Sequence, residues 1–205
     1  LHPYTGLTIA TKGGLARSGP GRWSSAGHPD RLDRRINNSL RRLEVEQIDL
    51  YQLHAVDDDV PLADSVGALA RAREDGRIRH IGLSNVSVEQ LNAALAVAPI
   101  VSVQNRYNLG YRTHQAVLDR CEERGIGFIP WYPLAAAGLS SGQTGTLADI
   151  AAAHEATTSQ IALAWLLAKS PVMLPIPGTS QVAHLEENVA AADITLTAEQ
   201  LAELD

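Results

Sequence analysis

The sequence predicts an α/β fold built of parallel strands joined by helical crossovers, and three observations carry that reading. Short β-rich runs alternate with helical patterns along the 205 residues, an order that demands crossover connections. Polar or ionisable residues (Lys12, His54, Ser84, Asn85, Gln104, Trp131, Gly178) sit at the ends of successive strands, as they do where all the carboxyl ends converge on one mouth. The Gly-x-Gly-x-x-Gly phosphate loop of an open dinucleotide-binding sheet is missing, since Gly13-Gly14 does not extend into that spacing. A (β/α)8 TIM barrel is therefore favoured over an open doubly wound sheet. The strands expected are residues 7–11, 48–53, 80–84, 100–104, 126–131 and 172–176, which is two short of eight.

The first strand, Leu7-Thr8-Ile9-Ala10-Thr11, is β-branched and apolar and delivers Lys12 to the following loop. Residues 13–29, rich in Gly, Ser and Pro, are expected to form a long loop on the substrate side carrying Arg17, Arg22 and Trp23. Pro29 and Asp30 suit a helix start, and Leu32, Ile36, Leu40 and Leu43 recur at helical spacing. Ile48-Asp49-Leu50-Tyr51-Gln52-Leu53 then reads as a buried strand that ends in His54. A helix over 61–75 stops at Gly76, and the next strand closes in Ser84-Asn85, with Ser87 as N-cap for residues 88–97. Ile100 to Asn105 again starts apolar and ends polar. Beyond it lie a helix over 114–124, the apolar run 126–132, a Gly/Ser-rich connection over 138–145, helices over 147–154 and 159–169, a proline-punctuated strand over 172–176, and helices over 182–191 and 197–204.

Composition narrows the function. With 45% hydrophobic and 20% charged residues the chain is an ordinary globular protein. A net charge of −6 disfavours a nucleic-acid surface, because phosphate binding needs a concentrated positive field. The apolar run Ile161 to Ala168 is far below the roughly 20 residues of a membrane span, no membrane partner is expected, and the N-terminus shows no signal pattern. A cytoplasmic location is expected. The single cysteine, Cys121, falls in a helical stretch and is read as a packing residue.

Together Ile9-Ala10-Thr11-Lys12, Ile48 to His54, Gly76 to Asn85, Val103-Gln104-Asn105-Arg106-Tyr107-Asn108 and Ile176-Pro177-Gly178-Thr179 resemble the aldo-keto reductases, most closely their bacterial NADP-dependent oxidoreductase branch. The likeness runs in order along the whole chain, read as one partial barrel domain over 1–205. It implies carbonyl reduction of aldehydes or ketones to alcohols by hydride from NADPH, with NADH not excluded, on a small-molecule substrate. The catalytic tetrad of that family is Asp, Tyr, Lys and His. Lys12 matches its lysine, whose cation favours the phenolate, and His54 its histidine, which orients the carbonyl. The Asp and Tyr precede the lysine in the family and have no match here; the first two βα units are expected to lie outside this sequence, and the 205 residues alone are expected to reduce carbonyls negligibly.

The resemblance also implies the cofactor contacts. Ser84, Asn85 and Gln104 match residues that hydrogen-bond the nicotinamide carboxamide, and Trp131 matches an aromatic that stacks on the nicotinamide ring. Leu134 falls in a pyrophosphate-contacting loop. Gly178, Thr179 and Ser180 lead into Val182, where helix amides can receive the adenosine phosphate. Glu187 and Asn188 match adenine contacts. Where many relatives carry Lys or Arg for the 2′-phosphate, this chain offers Gly178, Gln181 and His184, and neutral imidazole is a weaker phosphate partner than guanidinium. Two other readings stand beside the enzyme: a non-catalytic cofactor-binding regulatory subunit of the same superfamily, and an inactive truncated fragment. No metal site is expected.

Overall fold

A computed structural model describes residues 2–134 and 141–205, which fall into two compact units, Leu1–Gln104 and Asn105–Asp205. In the first unit β1 (Ala10–Gly13) is followed by an antiparallel pair, β2 (Leu15–Gly19) and β3 (Arg22–Ser25), then α1 (Pro29–Leu43), β4 (Ile48–Leu53), α2 (Leu62–Glu74), β5 (Ile78–Ser84), α3 (Val88–Leu95) and β6 (Ile100–Gln104). Strands β1, β4, β5 and β6 pair in that order, every pair parallel. Ile36, Leu69, Ile81 and Leu83 are fully buried beneath the helices, so the 3.6-residue stripe and the apolar strand runs meet in one core.

Two expectations for this unit are corrected. The first strand spans residues 10–13 instead of 7–11: Leu7 is exposed, and the Ile9 amide donates to the Asp49 carboxylate rather than to a strand. The residues expected as a loop over 13–29 contain the β2–β3 hairpin, with Leu15 opposite Ser25 and Arg17 opposite Trp23. Gly19-Pro20-Gly21 supplies its turn, Gly21 at φ 67°. The polar composition of the strands had hidden them: Arg22–Ser25 is exposed throughout, so no apolar alternation marks it. Side-chain bonds tie the hairpin root down. Gly27 N–H donates to Asp57 Oδ2 at 2.8 Å, and Ser65 Oγ donates to the Gly27 carbonyl at 2.8 Å.

The interior of the sheet is partly polar. Gln52, Gly82 and Ser102 are in register across β4, β5 and β6, and Gln52 Nε2 donates to Ser102 Oγ at 3.2 Å. A Cβ on Gly82 would stand 2.3 Å from Ser102 Oγ and 2.8 Å from Gln52 Cγ. Glycine is the residue that lets the two polar side chains meet across the middle strand.

The second unit holds α4 (Gln115–Arg124), β7 (Gly127–Phe128), α5 (Ser141–Ala153), α6 (Thr158–Lys169), α7 (Val182–Ala190), a 3-10 turn (Ala191–Asp193) and α8 (Ala198–Leu204). Its centre is Trp165, fully buried, with Tyr107 stacked on it at 6.0 Å and Phe128 edge-on to Tyr107 at 5.9 Å. Trp165 Nε1 donates to Asp205 Oδ1 at 3.0 Å, which satisfies the indole inside the core. Capping boxes at Thr157/Gln160 and Thr197/Gln200 start α6 and α8. Cys121 is buried, and burial pushes its thiol up to about 12, in keeping with a packing role.

Three further expectations change here. The run 126–131 is a strand only at Gly127–Phe128, because Pro130 has no N–H to continue the ladder; Trp131 resumes pairing as a single parallel bridge to Arg106. The strand expected over 172–176 is also a single bridge. Phe128 N–H donates to the Val172 carbonyl and Leu174 N–H to the Phe128 carbonyl, both at 2.8 Å, after which Pro175 and Pro177 stop the ladder. Helix α5 starts at Ser141 rather than 147 and so includes Gly142 and Gly145. The roughly 1 kcal/mol each costs is outweighed by burial of Leu147 and Ile150. Of the connection expected over 138–145, residues 138–140 lie outside the described residues.

Candidate active site

Strand β1 ends in Lys12-Gly13 and β4 ends at Leu53, and the two are joined by parallel pairing of Lys12 with Gln52 and Gly13 with Leu53. The His54 N–H donates to the Gly13 carbonyl at 2.7 Å. Two adjacent carboxyl ends thus hold an ammonium and an imidazole side by side. Both side chains are half-buried. Burial holds the Lys12 ammonium below its ordinary 10.5. Burial, then the Lys12 charge, holds the His54 imidazole below its ordinary 6.5. At pH 7 His54 is accordingly a neutral imidazole, able to donate one N–H to an oxygen, beside a cation that stabilises developing negative charge.

The next two strand ends extend this edge. Asn85 takes the left-handed conformation at φ 57°, which turns its amide back toward β4, where Nδ2 donates to the His54 carbonyl at 3.1 Å and to Ser84 Oγ at 3.1 Å. Ser84 Oγ donates to the Gln104 carbonyl at 2.8 Å, and Asn85 N–H donates to the same oxygen at 3.1 Å. Lys12, His54, Ser84, Asn85 and Gln104 therefore form one connected polar edge along four strand ends. The side-chain amide of Gln104, in a residue only 7% exposed, has no hydrogen-bond partner among the described residues. It offers a donor and an acceptor, the pair a carboxamide needs.

Two buried tyrosines take no part in this chemistry. Tyr51 is fully buried, and its hydroxyl makes no well-formed hydrogen bond among the described residues although Ser39 stands close enough to act on it. Burial, opposed by Ser39 and by the Arg35 charge, pushes it up to about 12. A Cβ on Gly13 would meet the Tyr51 Oη at 2.3 Å, so glycine after Lys12 makes room for that ring. Tyr107 is likewise raised to about 12 by burial, and its hydroxyl is bonded to Gln115.

The other predicted residues belong to the second unit. Leu134 and Gly178 come together, lining a cleft of about 420 Å³ with Tyr132, Pro133, Ile176 and Pro177. Trp131 adjoins it in sequence, its N–H donating to the Asn105 carbonyl at 3.0 Å. Thr179 Oγ1 accepts from Gln181 N–H at 3.1 Å, just ahead of α7. Gly178, Thr179, Ser180, Val182 and His184 are exposed, Glu187 and Asn188 half-exposed, and α7 buries none of its residues. The α7 residues do not line the cleft. Sequence reasoning gave no role to Gln52, Ser102, Asp57 or Arg106. A polar residue inside an otherwise apolar strand was the available signal for Gln52, and a cation two residues beyond Gln104 the signal for Arg106.

The Aldo/keto reductase family pattern matches residues 2–205, and the chain belongs to that family. Its fold class is the (β/α)8 barrel of aldo-keto reductase type. An uncharacterized oxidoreductase of Schizosaccharomyces pombe is 52% identical over 100% of this chain and 67% of its own length. Pyridoxine 4-dehydrogenase of Escherichia coli is 42% identical over 100% of this chain and 73% of its own. The crystal structure of an aldo-keto reductase from Klebsiella pneumoniae in complex with NADPH superposes with a TM-score of 0.77 at 33% identity, covering 87% of this chain and 65% of that one. The chain thus spans about two thirds of the length of the relatives it matches.

Proposed function

We propose that the protein is a cytoplasmic, NADPH-dependent oxidoreductase that reduces small aldehydes or ketones to alcohols, its residues 1–205 serving one barrel domain. The observation that carries this reading is the Lys12–His54 pair at adjacent strand ends, with the imidazole neutralised by burial and by the lysine's charge. Neutral His54 orients a carbonyl oxygen by donating an N–H, and Lys12 stabilises the negative charge that grows on that oxygen. Reduced nicotinamide, when bound, would supply the hydride to the carbonyl carbon, and the proton that completes the alcohol would come from the tyrosine that the family resemblance implies, which these 205 residues do not match.

The residues present suit that cofactor. The unpartnered amide of buried Gln104, beside Ser84 and Asn85, fits the carboxamide. Trp131 offers a face for the nicotinamide ring, and Leu134 with Gly178 line a cleft suited to a pyrophosphate. Thr179, Ser180, Val182 and His184 at the start of α7 would receive the adenosine phosphate, and Glu187 and Asn188 the adenine. The NADPH bound in the Klebsiella relative supports the choice of cofactor. The kinship with pyridoxine 4-dehydrogenase makes pyridoxine the first alcohol to assay in the oxidative direction.

The test is NADPH-dependent reduction of an aromatic aldehyde by purified protein that includes the family's Asp- and Tyr-bearing segment, with cofactor binding read separately from the quenching of tryptophan fluorescence. His54→Gln is expected to lower kcat about 10²- to 10⁴-fold while leaving the NADPH dissociation constant within about twofold. Equal turnover by H54Q and the unsubstituted protein sinks the assignment. NADH binding as tight as NADPH binding removes His184 from the phosphate site.

A further inference from the structure

Arg106 follows β6 and bridges Trp131 in parallel, so the two side chains share one side of the ladder. Its guanidinium lies 4.3 Å from the ring centre of Tyr111, 5.5 Å from Tyr132 and 5.9 Å from Trp131. Three aromatic faces hold this cation, yet Nε is buried and has no hydrogen-bond partner among the described residues. No carboxylate among them stands within ion-pair distance of it. The contrast with other arginines is direct: Arg77, Arg112 and Arg120, each about one quarter exposed, all pair with a carboxylate, Asp33, Asp205 and Glu123 respectively. Arg106 is half-buried as they are and carries the same charge without a counterion. Aromatic faces offset part of the cost of desolvating a guanidinium, but they leave its fork of N–H donors unspent.

We infer that Arg106, framed by Tyr111, Trp131 and Tyr132, is an anion-recognition site that takes the carboxylate of an acidic, ring-bearing carbonyl substrate. The assignment rests on the oxidoreductase reading for the word substrate, because Trp131 is the ring proposed to stack on nicotinamide, and an anion held on Arg106 is held beside it. A carboxylate completes the ion pair in the bidentate geometry a guanidinium prefers. The aromatic frame favours a flat acid over an aliphatic one.

Two measurements test it on the purified protein. In the first, NADPH-dependent reduction of para-formylbenzoate is compared with that of its uncharged methyl ester. The ratio of kcat/KM, acid over ester, is expected to fall about 10- to 100-fold in Arg106→Met, the range for loss of a charge-assisted hydrogen bond, and Arg106→Lys is expected to recover part of it. A ratio unchanged by both substitutions overturns the inference and reduces Arg106 to a spacer among the rings. In the second, calorimetry follows benzoate alone. Saturable binding to the unsubstituted protein, lost in R106M and partly kept in R106K, supports the site even if neither aldehyde is turned over, in which case the oxidoreductase reading is what fails. Benzoate binding that is absent, or equal in all three proteins, overturns the inference even where the ester is reduced.

Discussion

Replacing Tyr51 by phenylalanine should stabilise the protein. The Tyr51 hydroxyl is fully buried and makes no well-formed hydrogen bond among the described residues, with Ser39 as a poorly placed polar neighbour. A buried hydroxyl without a bond carries a desolvation penalty of about 1–3 kcal/mol, so removing it while keeping the ring is expected to gain about 1 kcal/mol. Gly13→Ala probes the same spot from the other side. The added Cβ would lie 2.3 Å from Oη, an overpacking worth about 1–3 kcal/mol. With the oxygen gone the nearest atoms are Cζ at 3.1 Å and Cε1 at 3.2 Å, which small shifts absorb, and alanine's smaller unfolded-state entropy returns about 0.4–1 kcal/mol. G13A should therefore be costly alone and nearly neutral in the Y51F background. Urea unfolding of the four proteins gives the coupling directly, expected above about 1 kcal/mol. Loss of stability in Y51F would mean that the hydroxyl bonds Ser39 in solution. Zero coupling would mean the close approach of Gly13 to Tyr51 does not exist.

Two further outcomes concern the same sheet. Lys12→Met should raise the His54 pKa toward 6.5, read by proton NMR of the imidazole, because one of the two causes of its depression is removed. The native state holds His54 below its unfolded value, so its contribution to stability is full above about 6.5 and is lost as pH falls through the folded pKa. K12M should soften that acid-side loss, and an unmoved His54 titration would separate the two residues. Gly82→Ala should destabilise by about 1–3 kcal/mol, since its Cβ would enter the Gln52–Ser102 bond; an unchanged melting temperature would refute the packing.

Regular burial is what made most of this fold legible from residue order. The helix at Pro29–Leu43 and the strands at Ile48–Leu53 and Ile100–Gln104 each carry an apolar period that only one secondary structure satisfies, and their bounds came out within a residue or two of expectation. Elements with no buried face could not be read in that way. The β2–β3 hairpin is exposed and polar, and its strands are held by backbone pairing and by Asp57 from a distant loop. The strand expected at 172–176 has the apolar letters but lacks the N–H groups, and prolines reduced it to a bridge.

For the candidate site the division is similar. Lys12, His54, Ser84, Asn85 and Gln104 could be named from their place at strand ends, because strict alternation of strand and helix sends every carboxyl end the same way. That His54 is neutral, that Asn85 turns left-handed to bond the His54 carbonyl, and that the Gln104 amide is left unpartnered were decided only by tertiary structure, since each depends on which residues from other strands stand within a few ångströms. The same holds for Arg106. Residue order put a cation two residues beyond Gln104, and only folding brought Tyr111, Trp131 and Tyr132 around it and left it without a carboxylate.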